Sequence, residues 1–442
     1  MIGLSNSGIT ARIKAWHRDE TGSFTILSLY FFMASLILAG IAIDFTNRSA
    51  SESKAQAATD AVAHAALYLR DENSEGDAKA GALAVAQVGM PSEVYGAAIT
   101  ADDIEFGVWD PVTRTFLAVP GSNDAVRVTA LRNVERGNIV ENLLLRIVGF
   151  KGFEIAAQST WETYVPECML EGFVAERTVD MQSNNEFKSG FCIHSNQNLK
   201  LSSGNVFEDN THVTLPIETN VQLPTSGMES NPGLDEALDD GSYRLRILRK
   251  MEMMVEDIWA GGTSYLPDYI VNPLPVYHSN KQFRTTDVVP GSVHRMECPG
   301  TNQQMNMVGG LYSQMVLITN CKIKFQNGVI LEDALIISTS TTAKAMSATS
   351  GLQIGRNDNC APGGGATLMT YGGFEAPADM QSYGGQIIAR KSIEFSANAS
   401  GIQGISLISG QDVIGTSNMV MGFCGGIGMD PVLLAQHFRM VE

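Results

Sequence analysis

The sequence predicts an α+β protein: a long N-terminal membrane-spanning helix, a small antiparallel sheet, and then a β-rich region expected to be a parallel β-helix, with a β-sandwich as the alternative. Three observations predict this. Residues 23–43 are uncharged and mostly apolar. Residues 52–67, ESKAQAATDAVAHAAL, place alanine at seven of sixteen positions. After about residue 165, short apolar alternations recur between Gly, Asn and Ser. At 442 residues the chain exceeds one ordinary core. Its 44% hydrophobic and 17% charged residues exclude a disordered chain. With 30 basic residues against 47 acidic ones, no nucleic-acid partner is expected, because phosphate binding needs a basic face.

In chain order the expected divisions are a cytoplasmic tail (1–22), a transmembrane helix (23–43), an Ala-rich helix (44–71), an α+β domain (72–165) and a β-rich extracytoplasmic domain (166–442) with a helical insertion (231–260). The span SFTILSLYFFMASLILAGIAI is long enough for the hydrocarbon core, which takes roughly 20 apolar residues. Its eleven Phe, Ile and Leu residues favour insertion by roughly 3 to 7 kcal/mol together. A buried core helix and a cleaved secretory signal are the rivals. Arg12, Lys14 and Arg18 imitate the basic start of a signal, and Gly40-Ile41-Ala42 imitates a cleavage site, but the apolar run is longer than a signal needs. Arg48 and Lys54 follow the span, so the positive-inside bias toward a cytoplasmic N-terminus is slight. All six cysteines, Cys168, Cys192, Cys298, Cys321, Cys360 and Cys424, lie beyond the span without metal-ligand spacing. They are candidate disulfides of an exported region, with 15 connectivities left open.

From Asp44 to Asp71 there is no Gly or Pro, so the helix should continue past the membrane as a rod of about 70 Å. Ala55, Ala58, Val62, Ala65 and Leu69 recur at steps of three and four and form a slim seam suited to close helix packing. His64 reads as an i+4 partner of Asp60.

Gly22-Ser23 before the span, Asp44 directly after it in AGIAIDF, and KAQAATDAVAHAAL together resemble the N-terminal signature of TadG-like proteins of the tight-adherence (Flp) pilus system. The shared positions are Gln56, Ala57, Ala58, Asp60, Ala61, Ala63, Ala65 and Ala66; Ala55 replaces the usual Leu, and Val62 and His64 interrupt the alanine run. IEFGVWDPVTRTFLAV (104–119) and DAVRVTA (124–130) extend the resemblance to about residue 165. Physically these read as an antiparallel meander with a turn at Asp110-Pro111, then a short helix near 140–148 and a strand near 153–164. A long helix laid on such a sheet is a pilin-like plan. Prepilin cleavage after Gly22 is not expected, since the Glu at the fifth following position is missing and Leu27 stands there. The resemblance implies a retained, single-pass inner-membrane component of pilus assembly whose helix meets other apparatus proteins or pseudopilins.

Beyond residue 166, CKIKFQNGVILEDALIIS (321–338) gives the apolar pairs Ile323/Phe325, Val329/Leu331 and Leu335/Ile337, and NLKLSSGNVFEDNTHVTL, GGQIIARKSIEFS and GIQGISLISGQDVIG repeat the pattern loosely. In the insertion, Leu245, Leu248, Met251, Met254, Val255 and Ile258 form a buried stripe. No nucleotide-binding, hydrolase or zinc motif occurs, and the metal-binding DxSxS pattern of many TadG-like proteins is missing. Glu208-Asp209-Asn210 and Asn357-Asp358-Asn359 read as turns rather than calcium loops. A β-helix glycan enzyme needs paired carboxylates on one face, and within residues 166–442 the only adjacent Asp pair, Asp239-Asp240, falls in the insertion. No catalytic residue, cofactor or metal is therefore expected. The lipid bilayer is an expected partner, and a surface or glycan ligand bound by an adhesin-like body is the further one.

Overall fold

The computed structural model describes residues 21–300, 303–426 and 430–442, so the tail expected over 1–22, with Arg12, Lys14 and Arg18, falls almost wholly outside them. The chain divides into two units: one of residues up to 164 joined by 438–442, the other of Val165–His437.

In the first unit a single helix, α1 (Thr21–Arg70, 50 residues), covers both the apolar span and the Ala-rich stretch. A second helix follows that periodicity did not reveal, α2 (Glu75–Gly89), started by Ser74 accepting the Asp77 amide at 3.2 Å. The alanines serve the contact between these two helices. A Cβ added at Gly89 would lie 3.4 Å from Ala58, and one at Gly81 would lie 2.4 Å from Leu69. Such an approach is open only to small side chains.

Against the helices lies an antiparallel sheet of β1 (Ile104–Asp110), β2 (Thr115–Ala118), β3 (Ala125–Arg132) and β4 (Ile155–Tyr164), in the order β2-β1-β3-β4. The strands are antiparallel as expected, but they do not form the expected meander: β1 pairs with both β2 and β3, so β2 is an edge strand and the chain passes over β1 to reach β3. Val126, Val128 and Ala130 of β3 alternate inward onto α1. The helix expected near 140–148 is instead a two-residue strand, Val140–Glu141, and a 3-10 turn, Leu145–Val148, since Gly149 with φ 91° ends it at once. The strand His437–Met440 adds itself beside β4, a return of the chain that local pattern cannot show.

The second unit is one sheet of 23 strands in which every described pairing is parallel. The hairpins of a sandwich are not found among the described residues. Strands Asn272–His278, Ser292–Met296, Gly310–Thr319, Val329–Ser338, Ala366–Thr370, Phe374–Ala389 and Ile393–Ser409 stack in sequence order. The last of these then pairs with Gly172–Ala175, and the stack continues through Cys192–Ser195, His212–Leu215 and Leu238–Asp240. The chain thus enters its own stack in the middle, builds one end, and crosses to the far end to build the rest. Asp239 and Asp240, expected inside a helical interruption, are part of that end strand and pair with Thr214 and Leu215.

The crossing contains α3 (Arg246–Ala260), the helical core of the expected insertion, stopped by Gly261 at φ 87°. Leu245, Met251, Met254, Val255 and Ile258 are buried, with Leu248 packed at their edge. They cover an outward column of Val174, Ile408, Ile388, Met369, Ile337 and Ile318, while Phe173, Leu407, Ile387, Leu368, Ile336 and Leu317 fill the interior. Burying five such side chains contributes roughly 8 to 15 kcal/mol before entropy is charged. Arg295 stacks 3.8 Å from the Trp259 ring and donates to its carbonyl at 2.9 Å, fixing the helix end.

At one corner the backbone turns left-handed in most of the layers, at Gly291 (φ 71°), Gln314 (φ 50°), Asp333 (φ 43°), Gly384 (φ 67°) and Gly404 (φ 69°). On another corner Asn185, Asn205 and Asn231, all buried, form a ladder: Asn205 Oδ1 accepts from the amide and side chain of Asn185 at 3.1 and 3.0 Å, and Asn231 Oδ1 accepts likewise from Asn205 at 3.0 and 3.1 Å.

Candidate membrane interface

The first half of α1 makes no core. From Phe24 to Phe45 its large apolar side chains are exposed, and only Gly40 and Asp44 are buried. An 18-residue stretch of this helix has a mean hydropathy of 2.4, apolar and long enough to cross a bilayer.

Asp44 is the first charge after the span and is fully buried. Its Oδ1 accepts the Leu143 amide at 2.7 Å, and its Oδ2 accepts those of Leu144 at 3.1 Å and Leu145 at 2.7 Å. Burial opposes charge on this carboxyl, but the amides of Leu145, Leu143 and Leu144 outweigh it and hold its pKa below the ordinary aspartate value. Asp44 thereby ties the turn Leu145–Val148 against the helix. Gly40 lets it come close: a Cβ there would lie 3.1 Å from that of Leu144. Between helix and turn runs an apolar groove of about 150 Å³, with Met33 and Ile37 on one wall and Ile147 and Val148 on the other.

The predicted seam is occupied within the chain. Ala55, Ala58 and Val62 are buried against α2 and the sheet, while Ala65 and Leu69 are half-buried. The seam therefore is not free for a sibling helix, and the exposed apolar surface of α1 lies N-terminal to it. Of the shared motif positions, Gly22 falls in the first turn of α1, Ala57 and Ala61 face outward, and Asp60 accepts from Gln56 at 2.9 Å. Gln56 also donates to the Gln158 carbonyl of β4 at 2.9 Å, joining helix to sheet. His64, expected to pair with Asp60, stands among rings: 4.9 Å from Trp161, 6.1 Å from Phe438 and 6.5 Å from Tyr68.

The six cysteines pair as Cys168–Cys192, Cys298–Cys321 and Cys360–Cys424. No group of His, Cys, Asp or Glu suited to a metal occurs among the described residues. On the surface of the stack, carboxylates meet cations from neighbouring layers: Asp180 with Lys200 and Asp412 with Arg177, each at 2.6 Å, and Glu208 with Lys188 at 2.8 Å. Asp358 likewise pairs with Arg356 at 2.7 Å, so both loops weighed as calcium ligands carry an ion-paired carboxylate.

No curated protein and no solved structure matches the chain. Two protein families do. Residues 172–425, more than half of the chain and nearly all of the parallel stack, match the family described as domain of unknown function DUF7867. Residues 42–160, from the end of the span through β4, match the Tad-like Flp pilus-assembly family. The chain belongs to the DUF7867 family and joins that body to a Tad-like Flp pilus-assembly domain.

Proposed function

We propose that the chain is a non-enzymatic, single-span inner-membrane component of a bacterial Flp-type pilus assembly apparatus, with its N-terminus cytoplasmic and both units exported. The observation that carries this reading is the Tad-like match beginning at residue 42, where the apolar, exposed half of α1 gives way at a buried Asp44 to the half packed in the first unit. Three disulfides beyond the span favour an exported compartment. Other membrane components or pseudopilins would meet the exposed apolar half of α1, since the alanine seam is already filled. The stacked layers of the second unit are read as a parallel β-helix, whose ion-paired faces suit surface or glycan binding and adhesion. In a strain lacking this chain, pili counted by electron microscopy should fall and be restored by the intact chain but not by one lacking residues 1–50. Normal piliation in the deletion strain would end this reading. A reporter fused at Glu442 should be active only outside the cytoplasm, and the purified protein should bind glycans without turning them over.

A further inference from the structure

We propose that residues 143–150 form a second membrane-inserting element, seated in the lipid acyl chains beside the span; this rests on the reading that residues 23–43 lie in the bilayer. The first ground is continuity. Ile147 and Val148 share a groove with Met33, which precedes Asp44 by eleven residues, roughly 16 Å along the helix axis. A hydrocarbon core is about 30 Å thick, so whatever touches Met33 is well below the surface when Asp44 sits at it. The second ground is surface chemistry. Ile147 is 83% exposed, Leu143 63% and Val148 62%, an apolar cluster with nothing of its own unit over it.

The third ground is the backbone. Irregular chain is tolerated at lipid depth only when its amides and carbonyls are bonded internally. Here Asp44 takes the amides of Leu143, Leu144 and Leu145. The amides of Ile147, Gly149 and Phe150 bond the carbonyls of Leu144, Arg146 and Leu145 at 3.0 to 3.1 Å, and Asn142 closes the loop onto the Phe150 carbonyl at 3.0 Å. The cations in and directly after the segment, Arg146 and Lys151, are exposed on long stems that reach headgroups while their methylenes stay in the apolar layer.

The test uses the full chain in vesicles of phosphatidylcholine and phosphatidylglycerol, with dansylalanine incorporated at Ile147, at Leu36 as the span reference, or at Val112 in the exposed β1–β2 turn as the aqueous reference. Loss of emission from the Ile147 and Leu36 probes with acyl-brominated lipid, with both shielded from aqueous iodide and Val112 quenched by iodide alone, is the expected result. Quenching by bromolipid at Leu36 while Ile147 responds to iodide would overturn the insertion and leave the span intact. An Ile147 probe silent to both quenchers, with Leu36 in lipid, would mean that a protein surface covers the segment, and would overturn it too. Iodide quenching at both positions would remove the span reading and the proposal with it.

Discussion

Leu407 lies beside Phe173 across a parallel ladder, although almost the whole second unit separates them in sequence. The junction extends to every face: Val413 pairs with Val179, Met421 with Phe187, and the Arg177 guanidinium meets Asp412 at 2.6 Å. Order in the stack is thus permuted relative to order in the chain. Strands bonded on both sides open only with the whole body, whereas end strands fray. Hydrogen exchange should therefore find Gly172–Ala175 and Ile393–Ser409 among the slowest segments, and Asn272–His278 and Leu238–Asp240 among the fastest strands. Rapid exchange at Gly172–Ala175 would mean that the first strand is an edge and that this junction is wrong.

The asparagine ladder gives the second prediction. Asn205→Ala removes the acceptor of both the Asn185 amide and its side-chain nitrogen in a buried corner. Each orphaned donor costs about 1 to 3 kcal/mol, so the body should lose about 2 kcal/mol or more, read as a lower urea midpoint of the second unit. A change within about 0.5 kcal/mol, the usual range for a neutral surface substitution, would contradict the ladder.

Acid should weaken the second unit through its histidines. Burial holds His194, His294 and His437 neutral and pulls each from 6.5 down to about 4, with Arg246 adding to the effect at His437 and His278 at His294. Because the unfolded chain takes up these protons first, the stability is fully present above pH 6.5 and is lost as pH falls toward 4. For the well-buried His194 this amounts to about 3 kcal/mol. Glu171 opposes them: burial raises its pKa against the amides of Cys424 and Gly426, so it gains stability as pH falls. Melting temperatures between pH 7 and 4 should fall, and His194→Gln should flatten the slope; an equally steep slope in that variant would exclude His194 as a source.

Much of this architecture is legible in residue pattern, because its causes are local. An uncharged run of 21 residues, alanines without Gly or Pro, and the pairs Ile323/Phe325 and Val329/Leu331 each state an element directly; all four of those side chains are buried in the interior. Leu335 and Ile337 look like the next inward pair but face outward under α3, because Asp333 turns left-handed between them and Leu331 and reverses the alternation. Long-range causes leave no such trace. The partner of Ala58 is Gly89, that of Asp44 is the 143–145 backbone, and the ladder asparagines read as ordinary turn formers until layers are superposed. The seam was visible as a packing surface, but its occupant was not, since α2 carries the same small residues.

The last prediction concerns Asp44 itself. Asp44→Ala leaves three amides, those of Leu143, Leu144 and Leu145, without an acceptor beside an apolar helix. Unfolding the segment is then cheaper than keeping it docked, because unsatisfied donors in an apolar setting cost about 1 to 3 kcal/mol each. Protease cleavage after Arg146 or Lys151 in detergent should become many-fold faster, while β3 and β4, which do not depend on this cap, keep their protection. Gly40→Val should act in the same direction by a different route, since its added bulk meets the Leu144 side chain where a Cβ alone would stand at 3.1 Å. If Asp44→Ala left the cleavage rate at Arg146 unchanged while Gly40→Val raised it, close packing at Gly40 rather than the carboxylate would be what holds the segment.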